Sequence, residues 1–266
     1  MNADHSTYKQ IEMVLAKTGS LRIAYLPVGC TEQHGPILPM GTDTLVAKKL
    51  AEDLSTHRNG KDAEGIVYPG IAFSPSRSNA NYSGSTTVAE EAFRSYCAEV
   101  CFSILHHGFD ALVIICMHGP AEPSLVEIAF QFNQRQFEQE GSVRPIIILG
   151  ISRFKGVFER WLGSLEGKHA DYREFLLLYK VLGTDFFRPD VIMALEDFSN
   201  CYGKVTLPDI DLPGVPMELR SIEGVIGVPM IDAGRPHHEL ADGIWGDMIL
   251  AFSETIDRTF DRLRAL

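Results

Sequence analysis

Apolar residues in this chain fall into short unbroken runs, separated by longer stretches in which they recur every three or four positions. "LRIAYLPVG", residues 21–29, is such a run; closed by Pro and Gly, it predicts a buried strand. Residues 42–54 place Leu45, Val46, Leu50 and Leu54 at helical spacing, with Thr42 or Asp43 able to supply a helix-start oxygen. "GIVYPGIAF", 65–73, predicts a second strand. A long helix over 88–107 follows, with Gly108 as its stop, and "ALVIICM", 111–117, is the clearest buried strand. A helix over about 124–139 and a strand over 144–151 continue the alternation. Strand, helix, strand, helix with short links predicts an α/β fold: a mostly parallel β-sheet flanked by helices on both faces. Further on, the spacing predicts a helix over 168–182, a Pro- and Gly-rich loop with room for a strand over 201–217, and an amphipathic helix over 240–266. With no repeat and no linker, residues 1–266 are expected to form a single domain.

Composition narrows the function classes. A net charge of −11 without a basic run argues against binding nucleic acid or an anionic membrane surface. No apolar stretch reaches the roughly 20 residues that cross a bilayer. Residues 1–10 are polar and lack an apolar signal core, so a cytoplasmic location is the default expectation. The cysteines stand at 30, 97, 101, 116 and 201; an odd number in a long chain does not suggest a disulfide framework. Cys97 and Cys101 share one face of a predicted helix, where packing is favoured over metal binding.

Ligands of open α/β sheets bind beyond the carboxyl ends of the strands, and three polar clusters fall there. The first is "GCTEQHGPILPMGTD", 29–43. Glu32 and His34, one residue apart, point the same way in an extended segment. Asp43 follows nine positions after His34, across a stiff apolar loop that could fold it back toward the pair. A carboxylate can bridge two cations, so these three residues could begin a two-metal site; solvated loop residues and a helix cap are the bland alternative. The second cluster is "CMHGPAE", with His118 just past a strand and Glu122 one turn on. The third is "GKHADYRE", with His169 and Glu174. His106 and His107 end a predicted helix, where they suit its dipole. His237 and His238 lie in a predicted loop, where solvation is the simpler role.

These stretches resemble the creatininase, or creatinine amidohydrolase, family. "LPVGCTEQHGPILPMGTD" matches that family's opening signature at Pro27, Gly29, Glu32, Gln33, His34, Gly35, Leu38, Pro39, Gly41, Thr42 and Asp43. Cys30 stands where Ser is usual, and Pro36 where a second His is common. "SRSNANYSGS" keeps Ser76 and Gly84, with Ser78 and Asn79 in place of the usual Glu and His. "GFDALVIICMHGP" keeps Gly108, Phe109, His118 and Gly119; "HADYREFL" keeps His169, Ala170 and Glu174; and "GVIGVP" resembles a late family segment. In all, the resemblance spans about residues 20–250.

The resemblance implies an α/β hydrolase holding two divalent metal ions, and a homo-oligomer, often a hexamer. It implies Glu32 and His118 as terminal ligands of one ion, His34 as a ligand of the other, and Asp43 as the bridge. The usual last carboxylate of the second ion falls on Pro120, so Glu174 or Glu122 must supply it; Glu174 is favoured because it keeps its motif position. His169 resembles a proton-transfer group, and Ser76 a residue at the substrate. Imidazole and carboxylate ligands suit Zn, Mn or Fe(II). Two such ions lower the pKa of a shared water toward about 7 and polarise a carbonyl. Cys116, Pro120, Ser78, Asn79, Asp171, Phe175 and Leu176 replace polar or small residues near the implied pocket, which argues against creatinine itself. A small, cyclic amide or a formamide is the expected substrate. The alternatives are cleavage of a ketone C–C bond and a non-catalytic protein that binds a small molecule on the same scaffold.

Overall fold

Four strands lie parallel in the order β2-β1-β3-β4: β1 (Leu21–Val28), β2 (Ala63–Val67), β3 (Ala111–Cys116) and β4 (Ile146–Gly150). The structure is a computed structural model and describes residues 1–60, 63–163, 169–202, 215–230 and 234–265. All six residues of β3 are buried, as expected for a central strand covered on both faces. Alternation then sorts the side chains. Ile23, Tyr25, Val113 and Ile115 face one layer, with α2 (Thr42–Arg58), α5 (Lys155–Leu162), α6 (Tyr172–Phe186), α7 (Pro189–Tyr202) and α8 (His237–Arg264). Ala24, Leu26, Leu112 and Ile114 face the other, with α1 (Tyr8–Leu15), α3 (Glu90–His106) and α4 (Glu122–Glu140). The expected α/β class is therefore present. Among the described residues no helix is long and apolar enough to cross a membrane.

Several boundaries differ from expectation. β2 stops at Val67, because Pro69-Gly70 interrupts the ladder, which resumes only as a single bridge between Ile71 and Val28. The fourth expected helix begins at Tyr172 rather than 168: Asp171 accepts hydrogen bonds from the N–H groups of Arg173 and Glu174 and so caps it. Lys168 lies outside the described residues, as do 203–214, on which the expected loop and strand mostly fall. The last helix starts at His237, directly after Pro236, so the expected His237–His238 loop is a helix start. Cys97 and Cys101 pack in the core on α3, and burial pushes both thiols up to about 12.

Two contacts secure the sheet. At the amino ends of β1 and β3, the Arg22 N–H and Nε donate to Asp110 Oδ2 at 2.7 and 2.8 Å, and Nη2 donates to Oδ1 at 2.7 Å. Burial alone would raise the Asp110 carboxyl, but the hydrogen bonds and charge of Arg22 outweigh it and hold it below its ordinary value. Its stabilisation is thus complete above the unfolded carboxylate pKa of about 4 and is lost as pH falls through the depressed native value. Denaturant unfolding should find Asp110→Asn less stable than wild type at neutral pH, with the gap closing as pH falls below the unfolded carboxylate value of about 4 and through the depressed native one. At the outer edge of β4, the Ile146 N–H donates to Asn133 Oδ1 (2.9 Å) and Asn133 Nδ2 donates back to the Ile146 carbonyl (3.1 Å). A side chain of α4 thereby takes the place of a neighbouring strand.

Candidate metal centre

The chain leaves β1 toward β2 on one side and leaves β3 toward β4 on the other, so the carboxyl ends of these two central strands flank a crevice. Glu32 and His34 lie four and six residues beyond the end of β1, and His118 two beyond β3. The loop between His34 and Asp43 doubles back: the Glu32 N–H donates to the Met40 carbonyl at 3.0 Å, and Thr42 Oγ1 to the Pro39 carbonyl at 2.6 Å. That fold brings Asp43, second residue of α2, against the Glu32–His34 pair. Asp43 does not cap its helix; Gly41 is the N-cap and makes no side-chain bond. Ser76 and Asn79 arrive from a short 3-10 turn after β2, His169 from just before α6, and Glu174 from its first turn. Glu32, His34, Asp43, Ser76, Asn79, His118 and His169 are all buried.

Three imidazoles are aimed by backbone carbonyls. His34 Nδ1 lies 3.1 Å from the Glu32 carbonyl, His118 Nε2 2.9 Å from that of Pro75, and His169 Nε2 2.8 Å from that of Gln33. A carbonyl only accepts, so each of these nitrogens carries the hydrogen. The opposite nitrogens then face carboxylates. His34 Nε2 sits 3.1 Å from Asp43 Oδ1 and 3.8 Å from Glu174 Oε2. His118 Nδ1 sits 3.0 Å from Asp43 Oδ2 and 3.2 Å from Glu32 Oε1. His169 Nδ1 is 3.8 Å from Glu32 Oε1. Asp43 thus turns one oxygen to each of two imidazoles.

The charge of each group follows from these neighbours. Burial works against the charged form of His34, but Asp43, Glu174 and Glu32 outweigh it and raise its pKa to about 10. Against the same cost of burial, Asp43 and Glu32 lift His118 well above its ordinary value. Burial would likewise raise Glu32, yet His118 holds it at about 2, while His34 and His118 hold Asp43 far below the usual carboxylate range. Glu174 behaves oppositely: burial, only partly offset by His34, pushes it up to about 8. Burial and the charge of His34 lower His169, leaving it neutral at neutral pH.

This donor set fits divalent cations. Each imidazole is already hydrogen-bonded through its far nitrogen, as in metal-binding histidines generally, and turns its near nitrogen toward ionised oxygens. One atom each from His34, Asp43 and Glu174 lies within 4.8 Å of the others; so do atoms of Glu32, His34 and His169, and of Cys30, Glu32 and His118. Glu122 lies in none of these groups: its Oε1 accepts from Ser152 Oγ at 2.6 Å, and its carboxyl fills the space above Gly150. Of the two carboxylates left open by sequence, Glu174 is therefore the one beside His34. Ser76, expected at a substrate, donates its hydroxyl to Glu32 Oε2. His106 and His107 are exposed and meet edge to face, while His237 bonds the Tyr172 hydroxyl at 2.8 Å. Sequence reasoning gave Cys30 no role, although it stands where the family usually has Ser, two residues before Glu32. It likewise gave none to Gln33 and Asn79, although Asn79 Nδ2 donates to Glu32 Oε2 at 2.6 Å.

Comparison with known proteins gives a consistent picture. The profile of the creatininase family, described as creatinine amidohydrolase, matches residues 4–178. The 3-dehydro-scyllo-inosose hydrolase of Thermotoga maritima is 27% identical over 161 residues, 60% of this chain and 47% of that protein. The mycofactocin precursor peptide peptidase of Mycobacterium ulcerans is 32% identical over 98 residues, 35% of this chain and 39% of that protein. The matches thus span less than half the length of either curated relative. Among solved structures, a creatinine amidohydrolase (creatininase) superposes with a TM-score of 0.74 at 18% identity, over 97% of both chains. A manganese form of creatininase and a mutant of the Zn-Zn type superpose at 0.71 and 0.70, with 19% and 18% identity, over 97% of this chain and 98% of theirs. At such identities the likeness is one of fold.

Proposed function

Because this chain belongs to the creatinine amidohydrolase (creatininase) family, we propose that it is a metal-dependent hydrolase, adding water to the carbonyl carbon of a small amide. The observation that carries this reading is Asp43, with one oxygen on His34 and the other on His118. Glu32, His118 and Asp43 would hold one ion; His34, Asp43 and Glu174 would hold the other. Zn, Mn or Fe(II) suits these ligands. Ions bound there would supply a water of lowered pKa and a Lewis acid for the carbonyl oxygen.

The chain's own groups account for the rest. His169 is neutral, and its Nδ1 faces the cluster while Nε2 is held by Gln33. It can therefore accept a proton at Nδ1 and deliver it to the departing nitrogen. Its backbone is pinned in both directions to Ile226, which keeps the ring in place. Ser76 stands in the same crevice and would meet a substrate by giving up its bond to Glu32. A cavity of about 300 Å³ adjoins Glu174, lined by Ser152, Lys155, Phe158, Arg173 and Leu177 among others, and its size suits a small molecule. A cyclic amide or formamide other than creatinine is the preferred substrate. Cleavage of a ketone C–C bond is the second reading, favoured by the similarity to an inosose hydrolase. The same proposal takes 1–266 as one domain, since α2 and α8 cover one layer of one sheet, and has copies assembling into a homo-oligomer, up to a hexamer.

The test is metal analysis of protein purified without chelator, then turnover of amides, lactams, formamides and ring ketones with Zn, Mn and Fe(II). Metal-stimulated hydrolysis of an amide supports the proposal. Bound metal without any turnover would leave a binding protein, and absence of metal after reconstitution would remove the reading altogether. His169→Asn should lower kcat about 10²- to 10⁴-fold with metal content unchanged, as loss of a proton-transfer group does.

A further inference from the structure

We infer that Gln33 and Asn79 are positioning residues for Glu32: Gln33 orients the Asn79 amide, which in turn occupies one oxygen of Glu32 and leaves the other to face a cation. The inference rests on the metal-dependent reading above and concerns how this chain prepares one of its ligands.

The argument follows the hydrogens. The Gly35 N–H donates to Gln33 Oε1 at 2.9 Å, so that end of the amide is the oxygen. Gln33 Nε2 then donates both its hydrogens, to Asn79 Oδ1 at 2.8 Å and to the Gly224 carbonyl at 3.1 Å. Since Asn79 accepts through Oδ1, its Nδ2 must lie on the other side, where it donates to Glu32 Oε2 at 2.6 Å. Ser76 donates to that same oxygen. Glu32 Oε1 is the one that faces His118 Nδ1, at 3.2 Å. Gln33 and Asn79 are both buried, so neither amide can exchange these partners for bulk water.

The far end of the relay is equally constrained. Gly224 has φ +79°, and a Cβ there would lie 1.8 Å from Gln33 Oε1. Only glycine lets this loop deliver its carbonyl so close. Two residues on, Ile226 exchanges backbone hydrogen bonds with His169, at 3.2 and 2.9 Å. Gln33 therefore ties Glu32 to the segment that also steadies His169. Asn79 stands where the family resemblance usually has His, so in this chain a neutral amide fills that position.

Gln33→Glu tests the relay with almost no change of shape. Its carboxylate would accept from Asn79 Nδ2, turning Asn79 Oδ1 toward Glu32 Oε2. Metal-free wild type and variant are titrated with cobalt(II), following visible absorption and heat, and melted without metal. We expect wild type to take up two equivalents. In the variant one of them should weaken about 10- to 100-fold, as loss of a ligand's hydrogen-bond support does. That equivalent should be the one surviving in His34→Ala, and the other should keep its wild-type affinity. Asn79→Ala, which only deletes the donor, should weaken the same equivalent and serves if Gln33→Glu does not fold. Wild-type cobalt affinity at both sites in these variants would overturn the inference. So would equal weakening of both sites with a lowered melting temperature, which marks a merely structural role. Failure of wild type to bind cobalt would instead sink the metal reading, and the inference with it.

Discussion

Asp43→Asn is expected to cut turnover by about a thousandfold or more and to leave at most one bound ion. Ligand removal here takes away several kcal/mol of charge stabilisation, and each 1.36 kcal/mol is about a factor of ten in rate. The reason for so large an effect is that both oxygens of Asp43 are in use, at 3.1 Å from His34 Nε2 and 3.0 Å from His118 Nδ1. Asn keeps the shape but offers one acceptor; its NH₂ must face one of the two imidazoles. In metal-free protein the change strands little charge, because His34 loses the carboxylate that does most to raise its pKa and can shed its proton. Metal content by mass spectrometry and kcat at saturating metal check both halves. Two tightly bound ions in Asp43→Asn would mean that Asp43 is not the bridge.

Gly29→Ala should destabilise the fold by about 2–3 kcal/mol, at the upper end for one inserted methyl. A Cβ at Gly29 would fall 2.4 Å from the Thr44 backbone nitrogen and 2.6 Å from its Cα. No side-chain rotation relieves a clash with backbone, so the end of β1 and the first turn of α2 must part. Thr44 neighbours Asp43, and metal affinity should fall along with stability. Gly246→Ala supplies the contrast. It lies within α8, an added methyl there meets nothing within 4 Å, and alanine should stabilise the helix by about 0.5–1 kcal/mol. Denaturant unfolding of the metal-free proteins measures both; a Gly29→Ala variant as stable as wild type would show that the close approach is not required.

The elements legible in the sequence were those whose burial is extensive. β3, and β1 from Ile23 on, are unbroken apolar runs because both faces of each are covered, and α2 to α4 carry enough buried residues to show their period. α1 and α5 are amphipathic but only eight residues long, about two turns each, too short to stand out as a repeating pattern, and neither was expected from the sequence. Glu32, His34, Asp43 and His118 were legible as a group from strand-end position and the two-residue alternation of Glu32 and His34, whereas His169 and Glu174 were singled out only by the family resemblance. Position alone did not decide between Glu174 and Glu122, since each opens a helix at equivalent reach; what separates them is Ser152, which draws Glu122 away. Gln33 matched the family signature, but its role was not legible, for another reason. Its partner Gly224 is 191 residues distant and meets it through a left-handed turn, which no local pattern records.

The Asn133–Ile146 pairing has a bearing on how molecules of this protein meet. A fourth strand with a bare rim would invite another chain to lie alongside it and lengthen the sheet, the usual route to β-aggregation. Asn133 already occupies the first outward-facing residue of that rim, so an incoming strand would have to evict an amide before it could register. The sheet is in effect finished at that end.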